Sequence, residues 1–303
     1  MNSLGLPWKM INTFYPELSG VYKGRGYTRE EIQKLLEYSN DIQTDFIILA
    51  QNSGGLRIGA WDDLKWGNVF PIYQIEDQFK IELEKDEIGK VVCAAIIIHQ
   101  GTAFEYTALI SIEAWEKLQE YKKLWTKKQQ RPPTNKDPLL VTRFANMIPL
   151  TSSAIRARIG KLVEKAGLRS PLTEGNRRHE VPATHGLRRY WDKIMMNTKM
   201  KKGTLAALVT KEYLMGHSGI VKTDKNYFWA DIQDQVPDYL QAMPELIITN
   251  EFRLQHKIEN QEQRLKNFEN NELQLQDMKE QLAELIAKVQ RLDKYSKKTE
   301  IQN

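Results

Sequence analysis

The chain has 303 residues, 41% hydrophobic and 27% charged, the balance of an ordinary soluble globular protein. Its single cysteine, Cys93, excludes an internal disulfide and points to a reducing cytoplasm, while its longest apolar run, Val91 to Ile98, is too short to span a membrane. The formal net charge of +5 lies wholly in the first 250 residues, because Glu251 to Asn303 carries ten Lys/Arg against ten Asp/Glu.

Residues 1–26 read as an irregular lead-in, since Pro7, Pro16 and several glycines discourage long elements. Thr28 followed by Glu31 is a capping-box signature, and the helix it opens, EEIQKLLEYS, carries Ile32, Leu35 and Leu36 on one face. A second, more apolar helix, DFIILAQNSG, is expected to end near Gly54–Gly55 and to deliver Arg57 at the start of the next turn. A strand over Asn68 to Tyr73 follows, then a charged segment in which Phe79, Ile81 and Leu83 alternate. The β-branched runs Val91–His99 and Tyr106–Ser111, separated by a turn holding Gly101, read as a hairpin. Trp115, Leu118, Tyr121 and Trp125 recur at helical spacing and read as core packing. Beyond the break at Pro132–Pro133, a helix from Thr151 to Lys165 stops at Gly167, a residue suited to the C′ position.

The stretch from Thr184 to Tyr227 concentrates the chemistry. In ATHGLRRYW, His185 and Arg188 stand three apart and share a helix face; in YLMGHSGIVKTDKNYFW, His217 follows a glycine and Tyr227 comes ten residues later. Two imidazoles, a fixed cation and a phenol, with no carboxylate or thiolate among them, suit a metal poorly. They suit a phosphodiester. A reacting phosphoryl group spreads negative charge over its oxygens, and the planar fork of arginine matches that geometry while staying charged. A tyrosine hydroxyl needs a neighbouring base and cations to become a nucleophile, and its attack conserves the energy of the broken bond as phosphotyrosine. Arg177, Arg178, Arg188, Arg189, Lys193, Lys199, Lys201 and Lys202 form a basic cluster around the box, the footprint expected of a protein that neutralises DNA phosphates. Arg156, Arg158 and Lys161 are further candidates for backbone contact.

At these residues the chain resembles the tyrosine recombinase (phage integrase) family, most closely its archaeal integrase branch. The family pattern is an early arginine, a hairpin lysine, H-x-x-R, a further His or Trp, and a tyrosine nucleophile. GGLRIGAWDDLKW resembles the first-arginine motif and supplies Arg57; ATHGLRR resembles the H-x-x-R box, LMGHSG the second-histidine box, and KTDKNYFW supplies Tyr227. The resemblance runs from about Tyr27 to about Ile248. It implies an α+β fold, mainly helical with small antiparallel sheets, over a catalytic domain at 27–249. It implies site-specific breakage and rejoining of double-stranded DNA at attachment-type sites through a 3′-phosphotyrosyl intermediate, in the cytoplasm with the nucleoid. Tyr227 is then the nucleophile, Arg57 and Arg188 clamp the phosphate, His185 is the acid/base and His217 donates to a phosphate oxygen. The chemistry calls for no metal and no cofactor.

The chain departs from the family pattern in three places. The turn of the expected hairpin, His99 to Glu105, contains no lysine, and Lys85 and Lys90 precede its first strand, so the general acid is unassigned. The spacing from His217 to Tyr227 is one residue longer than the commonest. About 26 residues precede the catalytic domain, too few for the helical clamp domain usual in the family. These departures make a catalytically impaired, integrase-derived DNA-binding protein the alternative.

From Asn250 proline and glycine disappear, and Leu275, Met278, Leu282, Leu285, Val289 and Leu292 follow the 3-4 spacing of a coiled-coil seam. Upstream, Ile258, Leu265 and Phe268 continue the stripe with a register slip before Leu275, resembling a stutter. Residues 250–303 are therefore expected to form a long helix that joins copies of the chain into a homo-oligomer on DNA.

Overall fold

The computed structural model describes residues 24–76, 78–84, 87–169, 172, 179–198, 204–217 and 232–300. Two compact units meet between Ile248 and Thr249. The first is mainly helical with a four-stranded and a two-stranded antiparallel sheet, in line with the sequence.

Helix α1 (Arg29–Tyr38) starts on the expected capping box. The Thr28 hydroxyl accepts the Glu31 N–H at 3.2 Å, and the Glu31 carboxylate accepts the Thr28 N–H at 2.7 Å. That carboxylate also holds both arms of the Arg25 guanidinium. The Arg25 and Tyr27 amides donate to the carbonyls of Glu180 and Gly186, which lays the incoming chain against the start of helix α5 (His185–Asn197).

Helix α2 (Ile42–Gly54) is buried on all sides from Phe46 onward, as a central helix is. It ends at Gly55, whose φ is +60° and whose added Cβ would lie 2.8 Å from the Trp191 ring, so glycine alone fits there.

Strands β1 (Val69–Ile75), β2 (Gln78–Lys80), β3 (Lys90–Ile98) and β4 (Tyr106–Ser111) form one antiparallel sheet in the order β2-β1-β3-β4. The alternation from Phe79 to Leu83 yields only the three-residue β2. Both backbone groups of Phe79 bond to the Gln233 side chain, which occupies this edge of the sheet. β3 lies centrally, and its unbroken apolar run Cys93–Ile96 is buried. The β3–β4 hairpin closes at the pair Ile98–Tyr106, and its turn carries His99 at φ +54° and Gly101 at φ +78°. Lys90 pairs with Gln74 at the far end of β3, roughly 26 Å of strand away from that turn. Lys85 lies outside the described residues.

Ser111 caps helix α3 (Ile112–Gln129), whose Leu118, Tyr121 and Trp125 are core residues as expected, while Trp115, expected with them, is half-buried. Trp66 stacks on Tyr121 with centroids 5.9 Å apart and meets Trp125 edge-on at 6.4 Å. Strands β5 (Val141–Arg143) and β6 (Ile148–Pro149) lead into helix α4 (Ser152–Lys165), capped by Thr151 and followed by Gly167 at φ +66°. Arg158 on α4 pairs with Asp41 at 2.9 Å and donates to Gln43 at 2.8 Å, fastening α4 to the start of α2.

Helices α6 (Thr204–Leu214) and α7 (Ile232–Leu246) complete the unit. The end of α7 is tied into the core by buried polar groups. Asn52 donates to the Leu246 carbonyl at 3.0 Å, the Glu113 carboxylate accepts the Ile248 N–H at 2.8 Å, and the Tyr239 hydroxyl donates to the Ser53 carbonyl at 3.0 Å. The second unit contains helix α8 (Asn250–Glu300), along which Leu254, Ile258, Leu265, Phe268, Leu275, Met278, Leu282 and Leu285 are exposed. Among the described residues no helix is long and apolar enough to cross a membrane.

The aromatic cluster behind the sheet gives the first test. Trp125 is 0% exposed, so Trp125→Ala is expected to destabilise the first unit by about 3–5 kcal/mol, measured as a lowered midpoint in urea unfolding.

Candidate active site

The site is organised by Arg188, one helical turn into α5. Although the sequence places it in a basic surface cluster, Arg188 is only 3% exposed. Its Nη1 donates to the Gly55 carbonyl, and its Nη2 donates to the Met215 carbonyl at 3.0 Å. Gly55 is the C-cap of α2, and Met215 directly follows α6. The guanidinium thus bridges two helix C-termini, where carbonyls lack intrahelical partners and the backbone dipoles favour a cation. Burial pulls its pKa down and Arg57 pushes the same way, while the carboxylates of Asp192 and Glu212 oppose them. An arginine stays charged under such pressure.

The end of α6 builds the second component. Gly216 takes φ +63°, its N–H donates to the Tyr213 carbonyl at 2.8 Å, and the His217 N–H donates to the Glu212 carbonyl at 3.1 Å. These two bonds form a Schellman motif, with Gly216 at C′, Glu212 at C3 and His217 at C″. A Cβ on Gly216 would lie 2.5 Å from the Tyr106 ring, so this turn is closed against the base of the β3–β4 hairpin. His217 Nε2 sits 3.1 Å from Arg188 Nη2, and its Nδ1 sits 2.5 Å from the Glu212 carboxylate. Lys211 joins that carboxylate at 3.2 Å and Asp192 at 2.8 Å. Burial works against ionised Glu212, but the hydrogen bonds from His217 and Lys211 prevail and hold its carboxyl below the usual range.

Arg57 is exposed at the N-cap of a 3₁₀ turn, Ile58–Trp61, and its charge acts on both Arg188 and the Tyr106 phenol. The phenol itself is buried, which raises its pKa against the pull of both arginines. His185 is exposed at the first position of α5, with no side-chain cap before it. Partial burial, then the charges of Arg189 and Arg188, lower its pKa, and a helix N-terminus acts in the same sense. Its imidazole therefore enters neutral solution as a base.

Arg57, Arg188 and His217 thus come together near Tyr106, although 160 residues separate the first from the last, and His185 feels the charge of Arg188 from one helical turn away. Tyr227 lies outside the described residues, as do Arg177, Arg178, Lys199, Lys201 and Lys202 of the basic cluster; Lys193 is exposed. Of the other tyrosines near this stretch, Tyr239 is a core residue and Tyr213 is half-buried on α6. Sequence reading missed Glu212, Lys211, Asp192 and Tyr106. For Glu212 a signal was present: once glycine marks the end of α6, E-Y-L-M-G-H pairs its first and last residues.

No family model and no curated protein matches the chain. Solved structures similar to it include XerH site-specific recombinase bound to palindromic difH substrate in a post-cleavage complex, 19% identical over 73% of this chain with a TM-score of 0.45. XerA recombinase is 17% identical over 75% of this chain and 66% of its own, with a TM-score of 0.41. The lambda integrase catalytic core is 14% identical over 64% of this chain and 95% of its own, with a TM-score of 0.37. The chain spans about half of the XerH chain, 54%.

The electrostatics of His185 are directly measurable. Titration by imidazole NMR is expected to place its pKa below 6.5, and Arg189→Gln is expected to move it back toward that value, since removal of a positive neighbour favours the imidazolium.

Proposed function

We propose that the chain cleaves and rejoins DNA as a tyrosine-type site-specific recombinase, acting through a 3′-phosphotyrosyl intermediate. The observation that supports this best is the junction of Arg188 with His217, 3.1 Å apart across two helices, beside the charge of Arg57. Arg188 is buried with the charge of Arg57 acting on it, and an anion bound before the two arginines would offset their repulsion.

In this reading two non-bridging oxygens of the scissile phosphate take the place of solvent before Arg57 and Arg188. The hydroxyl of Tyr227 gives its proton to neutral His185 as its oxygen attacks phosphorus. The bond from phosphorus to the 5′ oxygen then breaks, and a proton must reach that oxygen as it leaves. Rejoining runs the same steps backward with a second 5′ hydroxyl, so neither metal ion nor nucleotide cofactor enters. The exposed apolar residues of α8 fit self-association through a coiled coil, which would bring copies of the chain together on paired DNA sites.

The second reading is a DNA-binding protein with impaired catalysis. The β3–β4 turn supports it: residues 99–105 hold no lysine, and Lys90 begins its strand far from that turn.

Covalent trapping separates the two. The protein is incubated with nicked fragments of the DNA surrounding its own gene and resolved on a denaturing gel. A DNA-linked band that disappears in Tyr227→Phe, and falls about 10²-fold or more in Arg188→Ala, is expected. Absence of any band despite salt-sensitive binding to the same fragments would establish the second reading.

A further inference from the structure

We propose that Glu212 is a positioning residue of this phosphate site: its carboxylate takes the Nδ1–H of His217, so that Nε2 faces Arg188 as an acceptor and becomes a donor to phosphate only by taking up a proton. The inference rests on the reading of the site as one for DNA phosphate.

The geometry allows one arrangement of protons in the free site. An ionised carboxylate can only accept, so the 2.5 Å contact with Glu212 requires the imidazole proton on Nδ1. Arginine can only donate, so the 3.1 Å contact with Arg188 Nη2 requires a lone pair on Nε2. Both are satisfied by the neutral Nδ1–H tautomer. That tautomer offers nothing to an incoming phosphate oxygen, which needs a donor. When phosphate engages Arg188, a proton from solvent on Nε2 converts His217 to imidazolium. The Nη2–H of Arg188 is released to the anion, and both groups then donate to it. Glu212 supports the added charge from the opposite ring edge.

The backbone explains why this pair can be precise. A Schellman motif fixes C3 and C″ against each other by its longer hydrogen bond, and those positions commonly hold two apolar side chains in contact. Here a carboxylate and an imidazole occupy them. Lys211, itself anchored on Asp192 at 2.8 Å, pairs with the Glu212 carboxylate at 3.2 Å, which leaves Glu212 little freedom to turn away.

Among the described residues the charged and titratable groups around His217 are few. From α6 they are Glu212 and Lys211, from α5 Arg188 and Asp192, and from β4 the Tyr106 phenol, whose ring lies beneath Gly216. Arg57 acts through Arg188. Of these, Glu212 alone among the described residues is a carboxylate in contact with the imidazole.

Two readouts test the proposal on the full chain. Nitrogen NMR of His217 in the DNA-free protein at neutral pH is expected to show the Nδ1–H tautomer, retained in Glu212→Gln and lost in Glu212→Ala. An Nε2–H tautomer in the unaltered protein would overturn the proposal whatever the enzymatic activity. Binding of orthovanadate, as a phosphate probe, is expected to weaken with rising pH with uptake of one proton. Glu212→Gln is expected to shift that dependence to lower pH and to weaken binding about tenfold at neutral pH, the scale of one charge-assisted hydrogen bond. An unchanged pH profile in a folded Glu212→Gln protein would also overturn it. Should covalent trapping fail while the tautomer and proton uptake are both observed, the recombinase reading falls and the role of Glu212 stands.

Discussion

A guanidinium buried between two helix ends governs this structure. Arg188 donates to the carbonyl of Gly55 behind α2 and to that of Met215 behind α6, and both acceptors come from backbone that has run out of intrahelical partners. Neither helix could be shifted by a turn without orphaning a charge in the protein interior. The arginine therefore sets the distance between the segment that supplies Arg57 and the segment that supplies His217. A residue read as part of the chemistry is also the peg on which the local fold hangs.

Two glycines make this possible. Gly55 turns back into left-handed space beneath the Trp191 ring, and Gly216 does the same against Tyr106. Each ends its helix where a carbonyl must be left facing inward, and each sits too close to an aromatic ring for any side chain. The ring on α5 and the ring on β4 thus place the helix ends, the helix ends hold the arginine, and the arginine meets His217. Packing and electrostatics act here through the same few residues.

Much of this was legible in the sequence. Thr28 with Glu31 marked the start of α1, Gly55 the end of α2, and the β-branched runs around Gly101 the hairpin, because caps and turns are written in adjacent residues. The box residues were legible by type and spacing. Burial was not. Arg188 looked like one member of a basic cluster, and the tie of Arg158 to Asp41 was hidden, because a lone sequence does not show which face of α5 meets α2 and α6, or that Asp41 lies opposite α4. The partner of the Phe79 backbone was hidden for a similar reason: it is Gln233, 154 residues away. Glu212 occupied a middle ground. Its partnership with His217 follows from a glycine-terminated helix, yet only after the end of that helix has been fixed.

The most direct measurement is the structure of the Tyr227→Phe protein bound to duplex DNA carrying its cleavage site. The account expects one backbone phosphate within hydrogen-bond distance of Arg57, Arg188 and His217, with the ring of residue 227 facing its phosphorus. A duplex lying on another surface, with no phosphate at Arg188, would contradict it.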